Sequence, residues 1–300
     1  MTPDATTARV SVRIREVPAA AGLRWIRLGW RAFARQPAGF LGMFALFLLL
    51  GFLWSLPLGV VLVPLGNALG LGTAPAEFLS FLPMPLLTLG FMAATEAVTN
   101  DLRIRPAMMF DALRGPRARP RSLLAVGVGY VVLAALAWFV GDSLDHGEAA
   151  AWLAQPITQP AQAGDPAAIK PLSDSAQLAL LLKAAIVALG SVPLWHAPAL
   201  VAWARQGAAK AMFASVLGLW RSRGALALHL LGWLAIVLVF SMACGVLMAV
   251  LQGSILVIAV MFVGGWVMTA WFYATLWFGF QDTFDIVDLG PDAPRRALQR

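Results

Sequence analysis

FLGMFALFLLLGFLWSLPLGVVLV, residues 40–63, contains 24 residues and no charged side chain. A helix of about 20 apolar residues crosses about 30 Å of hydrocarbon, so this stretch predicts a membrane-spanning helix. The composition of the whole chain supports this prediction, since its 300 residues are 60% hydrophobic and only 12% charged. Soluble domains hold about 45–50% apolar and about 25% charged residues. The sequence therefore predicts a membrane protein.

Further apolar stretches are also long enough to cross a bilayer. The predicted spans are six, at residues 40–63, 78–98, 123–140, 184–204, 225–250 and 254–280. These runs lack the polar alternation of strands in an outer-membrane barrel, so we predict an all-α fold. The six-span membrane domain covers residues 21–286. A disordered tail at 1–20 precedes it, and a second tail at 287–300 follows it.

Basic residues set the predicted orientation of the spans. Of 22 Lys and Arg residues, 20 lie before the first span, in the segments 99–121 and 205–223, or in the C-terminal tail. The positive-inside rule then places both termini in the cytoplasm and residues 141–183 in a periplasmic loop of a bacterial inner membrane protein. Basic residues beside span ends indicate anionic lipid headgroups on the cytoplasmic side as partners, and no nucleic acid.

Each span that runs outward follows a short amphipathic segment, and these segments lie at residues 22–36, 106–114 and 208–221. In the first segment, four arginines share one helical face: Arg24, Arg27, Arg31 and Arg35. The opposite face carries Ile26, Trp30 and Phe33. Such a helix lies in the interface plane, with guanidinium groups at lipid phosphates and aromatic rings in the acyl boundary. We expect these arginines to bind lipid headgroups.

The amphipathic segments also indicate an internal repeat. Phe110 in the second segment aligns with Phe213 in the third at an offset of 103 residues. We therefore predict three repeats, each made of one interfacial helix and two spans, related by an axis along the membrane normal.

The inward-running spans are interrupted. They contain Pro83 and Pro85, Pro193 and Pro198, and the pair Gly264-Gly265. Proline leaves a carbonyl of the preceding turn without its helical donor, and in hydrocarbon that carbonyl needs another partner. Interrupted helices at corresponding repeat positions are the best sequence indication of a transport site.

His196 lies near the midpoint of the fourth predicted span, where an ionisable side chain indicates function. The candidate ligand-binding residues are Pro193, Trp195, His196, Pro83 and Pro85. The alternative is structural, because a neutral imidazole can donate to a freed carbonyl on a neighbouring helix. His229 and Glu96, near the ends of their spans, are interpreted as interfacial or packing residues.

Other features predict packing rather than chemistry. Gly51, Ser55 and Gly59 form a line of small residues on the first span, which suits close helix packing within the chain or between copies. The acidic loop around Asp142 and Glu148 matches no calcium or zinc template, so we expect no metal and no cofactor. Catalytic motifs are absent from the sequence, so we do not expect an enzyme.

Some stretches also carry a resemblance. They are GWRAFARQPAGFLGMFALFLLL at residues 29–50, WHAPAL at 195–200 and WFYATLWFGFQDTF at 271–284. Over residues 22–286 the chain resembles an uncharacterised family of proteobacterial polytopic inner-membrane proteins. It is more faintly similar to the membrane domain of some glycerophosphodiester phosphodiesterases, without a catalytic portion. The resemblance implies the topology and supplies no substrate.

Two functions stay open at this point. One is the binding or transport of a small solute or lipid at interrupted helices that face a central cavity, which the aligned breaks favour. The other is a non-transporting scaffold or envelope-maintenance factor, which binds anionic lipid and a protein partner or a second copy. The scarcity of charge inside the spans favours this second function.

Overall fold

Apolar runs in the sequence become helices in the computed structural model, which describes residues 9–114, 119–153, 172–251 and 255–289. The helices are α1 (Ala21–Arg35), α2 (Pro37–Ala68), α3 (Ala74–Ser80), α4 (Met84–Thr99), α5 (Pro120–Asp145), α6 (Glu148–Leu153), α7 (Asp174–Gly190), α8 (Val192–Trp195), α9 (Ala197–Ala202), α10 (Ala208–Arg221), α11 (Arg223–Val250) and α12 (Ile255–Thr283). A 3₁₀ helix at Pro106–Leu113 and two strands, β1 (Arg9–Ile14) and β2 (Phe284–Leu289), complete the described elements.

Within the described residues, five segments are long and apolar enough to cross a membrane: α2, α3 together with α4, α5, α11 and α12. Many large apolar side chains on these helices are exposed. Val60 on α2 is 76% exposed, and Ile255 on α12 is 80% exposed. Water would oppose exposure on this scale, whereas lipid tails are as apolar as the side chains themselves. Apart from one small sheet, the fold is that of an all-α membrane protein, as predicted.

The predicted fourth span, residues 184–204, is divided into pieces. α7 contains 17 residues and ends at Gly190, α8 contains 4 residues, and α9 contains 6 residues. Pro193 lies within α8 and Pro198 in the first turn of α9, so both places lack a backbone donor. Because none of the pieces reaches membrane length alone, the total of six spans stays a prediction.

The described chain divides into two compact units. Unit 1 comprises Met1–Trp54, Pro83–Val126 and Pro193–Arg300. Its core includes Phe40 and Phe91, which are fully buried with ring centroids 6.0 Å apart. α1 packs along α11 and α12, because Gly22 and Gly29 expose their backbone to these two helices.

Unit 2 comprises Ser55–Leu82 and Gly127–Val192. Gly70 and Gly72, with φ values of 73° and 56°, allow the tight turn between α2 and α3. The Ser173 hydroxyl donates to a carboxylate oxygen of Glu148 at 2.5 Å, which ties α6 to the start of α7. The glycine turn and this hydrogen bond each connect neighbouring helices of unit 2.

A two-stranded antiparallel sheet joins the two ends of unit 1. β1 pairs with β2 in a register that runs from Arg9 opposite Leu289 to Ile14 opposite Phe284. The Arg15 side chain extends the pairing through an ion pair with Asp285, 2.5 Å between nitrogen and oxygen. The prediction of disorder through residue 20 was therefore wrong for residues 9–14, since the strand finds its partner at the far end of the chain. The predicted tail at 287–300 likewise begins within β2, and its residues beyond 289 lie outside the described ranges.

The predicted periplasmic loop 141–183 is partly helical. α5 continues to Asp145, α6 follows it, and α7 begins at Asp174. The Asp145 carboxylate accepts the N–H groups of Gly147 and Ala149, at 3.1 and 2.8 Å, so it caps the turn between α5 and α6. The Ser173 hydroxyl accepts the Ala176 N–H at 3.2 Å and caps α7. Residues 154–171 of this loop lie outside the described ranges.

The three predicted interfacial helices differ from one another. The first and third are α1 and α10, with nearly the predicted ends, whereas the second is the 3₁₀ helix at Pro106–Leu113. This 3₁₀ helix packs on α4, where the fully buried Met109 faces Gly90. Pro120, which begins α5, follows it closely in the sequence. The threefold repeat therefore stays a prediction.

Candidate functional site

The break between α8 and α9 buries His196 within unit 1. The residue is 2% exposed, and its ring lies against Phe280 and Phe284, with ring centroids 5.8 and 5.5 Å away. Its backbone N–H donates to the Ser215 hydroxyl at 3.3 Å. The Leu276 backbone lies beside the ring, but neither ring nitrogen has a hydrogen-bond partner within the described chain. His196 is thus a packed side chain with unused polar atoms.

A small cavity of about 10 Å³ adjoins this ring. It is lined by Trp25, Trp195, His196, Leu219, Leu226, His229, Thr275, Leu276 and Gly279. A cavity needs about 10–15 Å³ to hold one water molecule and several polar partners to keep it there. The space therefore suits at most one water molecule and excludes any larger solute in this conformation.

His229 is the second buried imidazole at this cavity. Its Nδ1–H donates to the Gly22 carbonyl at 3.4 Å, and its Nε2 lies 3.3 Å from the Thr275 hydroxyl. The Thr275 hydroxyl is also 2.6 Å from the Phe272 carbonyl. It has one proton to donate, so the Phe272 carbonyl and a neutral His229 ring compete for it. These contacts join α1, α11 and α12 through polar atoms in an otherwise apolar core.

The structure brings together only part of the predicted ligand site. Trp195 and His196 line the small cavity, whereas Pro193, Pro83 and Pro85 do not. Pro85 is buried at the start of α4, and Pro83 precedes that helix and is half-buried. His229 and Thr275, which the sequence did not single out as a site, complete the polar lining. His229 lies near the end of its apolar run, so the sequence indicated an interfacial or packing residue. It gave no sign of the contact between His229 and α1.

The four candidate arginines of α1 fall into two pairs. Arg24 forms an ion pair with Asp282 at 2.5 Å, and Arg35 lies 3.6 Å from the Asp101 carboxylate. Arg27 and Arg31 are exposed, and neither has an acidic partner in the part of the chain that the structure describes. Of these four arginines, Arg27 and Arg31 therefore keep guanidinium groups for an external anion.

The apolar face of α1 is covered by protein. Ile26 and Phe33 are buried, with Phe33 in the core of unit 1. Trp30 stays partly exposed and packs beside Trp271, with ring centroids 4.9 Å apart. The prediction that Ile26 and Phe33 lie in the acyl boundary was wrong, because α11 and α12 occupy that side of the helix.

α10 has the reverse arrangement. Its buried side consists of small residues and Leu219, and Gly218 faces the Phe284 ring. Its opposite side exposes Phe213, Val216 and Trp220, which we call the α10 stripe, with Phe213 at 69% and Trp220 at 67%. Exposed basic residues stand at both ends of this helix: Lys210, Arg221 and Arg223. The α10 stripe is an exposed apolar surface bordered by positive charge.

The remaining candidates are packing residues and acidic side chains. At Gly51 and Gly59 a methyl group would meet no atom within 4 Å, so no described segment packs against these two glycines. Ser55 between them is half-buried. No three His, Cys, Asp or Glu side chains among the described residues stand close enough to hold a metal ion.

Comparison with known proteins identifies the family. A protein described as a probable inner membrane protein of Burkholderia thailandensis is 30% identical over 286 residues, which cover 95% of this chain and 97% of that protein. The chain belongs to this family of inner membrane proteins. No family model matches the chain, and no solved structure matches it.

The similarity to an inner membrane protein and the five apolar segments lead to the same conclusion. The chain is an integral, multi-pass inner membrane protein. The same similarity confirms the resemblance to a family of inner-membrane proteins. The fainter similarity to membrane domains of glycerophosphodiester phosphodiesterases finds no support in these comparisons.

Proposed function

We propose that the protein is a non-transporting membrane scaffold that binds anionic lipid at the cytoplasmic face of the inner membrane. The α10 stripe carries this proposal. Burial of a large apolar side chain is worth about 1.5–3 kcal/mol, and a basic residue near an anionic surface contributes about 1 kcal/mol. An aromatic stripe with Lys210, Arg221 and Arg223 beside it has the chemistry of a helix that lies in the headgroup region.

The position of α10 in the chain supports this occupant. α11 begins at Arg223, two residues after α10 ends, and its lipid-exposed side chains begin at Leu230. Seven residues of helix rise about 10 Å, so the α10 stripe lies within reach of the same bilayer that surrounds α11. The bilayer therefore explains the stripe without a further partner.

The sheet supports the predicted topology. β1 precedes the first apolar segment and β2 follows the last, and backbone hydrogen bonds hold these strands side by side. Two segments joined in one sheet lie on one side of a bilayer, so the chain between them crosses it an even number of times. Five apolar segments give an odd number, so we infer that the broken segment α7 to α9 is the sixth crossing. With both ends on one side, the positive-inside rule places them in the cytoplasm.

The alternative function, binding or transport of a solute at the interrupted helices, needs more space than this conformation offers. The cavity at His196 is about 10 Å³, whereas pockets for small molecules measure about 300–1,000 Å³. Transport through this point would require α8 and α9 to move apart. The packed break fits a scaffold better.

A depth measurement tests the lipid contact of α10. A spin label is attached at Val216→Cys in the full-length Cys244→Ala protein, reconstituted in vesicles that contain phosphatidylglycerol. We expect high accessibility to oxygen and low accessibility to a water-soluble nickel chelate, because Val216 would face acyl chains. The matched control is Arg13→Cys in β1, which we expect to show the opposite pattern. Free access of the nickel chelate to the label at Val216→Cys would refute the proposed lipid contact.

A further inference from the structure

A second, larger cavity opens at the end of α10 and includes Trp220, Arg221 and Arg223 from the α10 stripe and its border. It lies between the segment that links β1 to α1 and the junction of α10 with α11, and its volume is about 740 Å³. The lining residues are Glu16, Val17, Pro18, Ala19, Trp220, Arg221, Arg223 and Gly224. All of them belong to unit 1.

The lining of this cavity contains two arginines and one acidic residue, so positive charge is in excess. Arg221 and Arg223 are exposed, and neither forms an ion pair there, while Glu16 is the one acidic residue in the lining. Other arginines of the same unit do have carboxylate partners, as Arg15 pairs with Asp285 and Arg24 with Asp282. The cavity therefore keeps two guanidinium groups for an external anion.

The first turn of α11 adds backbone donors at the same junction. α11 is 28 residues long and begins at Arg223, and its N-cap residue Ser222 makes no side-chain cap. The Ser222 hydroxyl is buried without a hydrogen-bond partner among the described residues. An uncapped first turn presents N–H groups that can donate to phosphate oxygens.

Two neighbours shape the cavity for a group of limited size. Gly224 and Ala19 meet at one end of the cavity, since a methyl group at Gly224 would stand only 3.1 Å from the Ala19 side chain. The Arg223 guanidinium lies 5.9 Å from the centre of the Trp220 ring, which orients it by a cation–π contact. Trp220 belongs to the α10 stripe, so the cavity opens beside the surface that would enter the acyl boundary.

We propose that this cavity binds the phosphodiester of an anionic phospholipid from the cytoplasmic leaflet. Arg221 and Arg223 donate to the phosphate oxygens as planar forks, the first turn of α11 provides N–H groups, and Trp220 lies beside the glycerol backbone and upper acyl chain. This inference rests on the proposed function, because the lipid reaches the cavity only if the α10 stripe lies in the bilayer.

Native mass spectrometry of the purified full-length protein tests this site. The protein is titrated with phosphatidylglycerol and, separately, with glycerol 3-phosphate. The double variant Arg221→Gln/Arg223→Gln should bind phosphatidylglycerol about tenfold more weakly or worse, because it loses two charge-assisted contacts. The matched control Arg103→Gln/Arg105→Gln removes the same charge from another exposed segment and should bind within about twofold of the unaltered protein.

Each other outcome contradicts the proposal. Equal affinity in both double variants would overturn the cavity as a lipid site, while the spin label at Val216→Cys would still report independently on the proposed function. Binding of glycerol 3-phosphate as tight as that of phosphatidylglycerol would overturn the lipid source and indicate a soluble phosphate compound. Gly224→Val, which keeps both arginines and narrows the cavity, should also weaken phosphatidylglycerol binding, and unchanged affinity would count against the site.

Discussion

α1 and α10 look alike in sequence and differ in what covers their large apolar side chains. Each is amphipathic, and each leads into a span. α1 buries Trp25, Ile26 and Phe33 against protein, whereas α10 leaves Phe213 and Trp220 exposed. An amphipathic pattern therefore defines two faces of a helix without defining the partner of the apolar face.

The position of the small residues accounts for the difference. In α1, Gly22 and Gly29 lie on the same face as Ile26 and Phe33, so the helices that approach these glycines also cover the large side chains. In α10, the small residues and the α10 stripe lie about 180° apart at 100° per residue. The Phe284 and Thr283 side chains approach α10 closely at Gly218, so Phe213 and Trp220 point away from the protein.

The largest expected effect contrasts two tryptophans. Trp25→Ala should cost about 3–5 kcal/mol of unfolding free energy, because it leaves a cavity beside His229 in the core. Trp220→Ala should change that free energy by no more than about 0.5 kcal/mol, because its side chain is mostly exposed. Unfolding in mixed micelles of mild and denaturing detergent measures both values. Equal losses would mean that α10 is packed against something in the purified protein.

A second contrast concerns glycines. Gly22→Val should destabilise the protein by about 1–3 kcal/mol, because the new side chain would collide with the Ala225 carbonyl on α11. Gly51→Val is the matched control, since a side chain there meets no atom within 4 Å in the described chain. Thermal unfolding followed by size-exclusion chromatography compares the two variants. A loss of stability or a change of oligomeric state in Gly51→Val would instead show that Gly51 faces another copy.

The smallest expected effect compares two carboxylates that pair with α1. Asp282→Asn should cost about 1–2 kcal/mol, because a partly buried oxygen of Asp282 accepts from both Arg24 and Trp25. Asp101→Asn should have almost no effect, since its carboxylate is 91% exposed and 3.6 Å from Arg35. The same detergent titration measures both free energies. If Asp101→Asn lost more unfolding free energy than Asp282→Asn, the ion pair at Arg35 would hold α1 more strongly than the one at Arg24.

Much of the fold follows from apolar run length. Residues 40–63, 225–250 and 254–280 become α2, α11 and α12, each a little longer than predicted because helices continue beyond the hydrocarbon. The sheet was missed although RVSVRI at residues 9–14 alternates apolar and polar side chains. That alternation is a strand signal, but the partner strand lies some 270 residues away, and pairing over such a distance leaves no local trace.

The candidate site could be predicted only in part. Proline and histidine in an apolar run located the break around His196, since both residue types are unusual there. The sequence did not indicate that His229 and Thr275 would meet it, because this contact depends on how close α1 lies to α11 and α12. Phe213, Val216 and Trp220 of α10 are exposed in the structure, because no part of the described chain covers them.

The pairing of β1 with β2 has a consequence for how the protein is made. A ribosome releases residue 14 long before it releases residue 284, its partner in the sheet. β1 therefore stays unpaired while the spans enter the membrane. The sheet between β1 and β2 forms late in biogenesis. A chain that stops before β2 could not form this sheet, so the sheet is present only in chains that have been synthesised through residue 289.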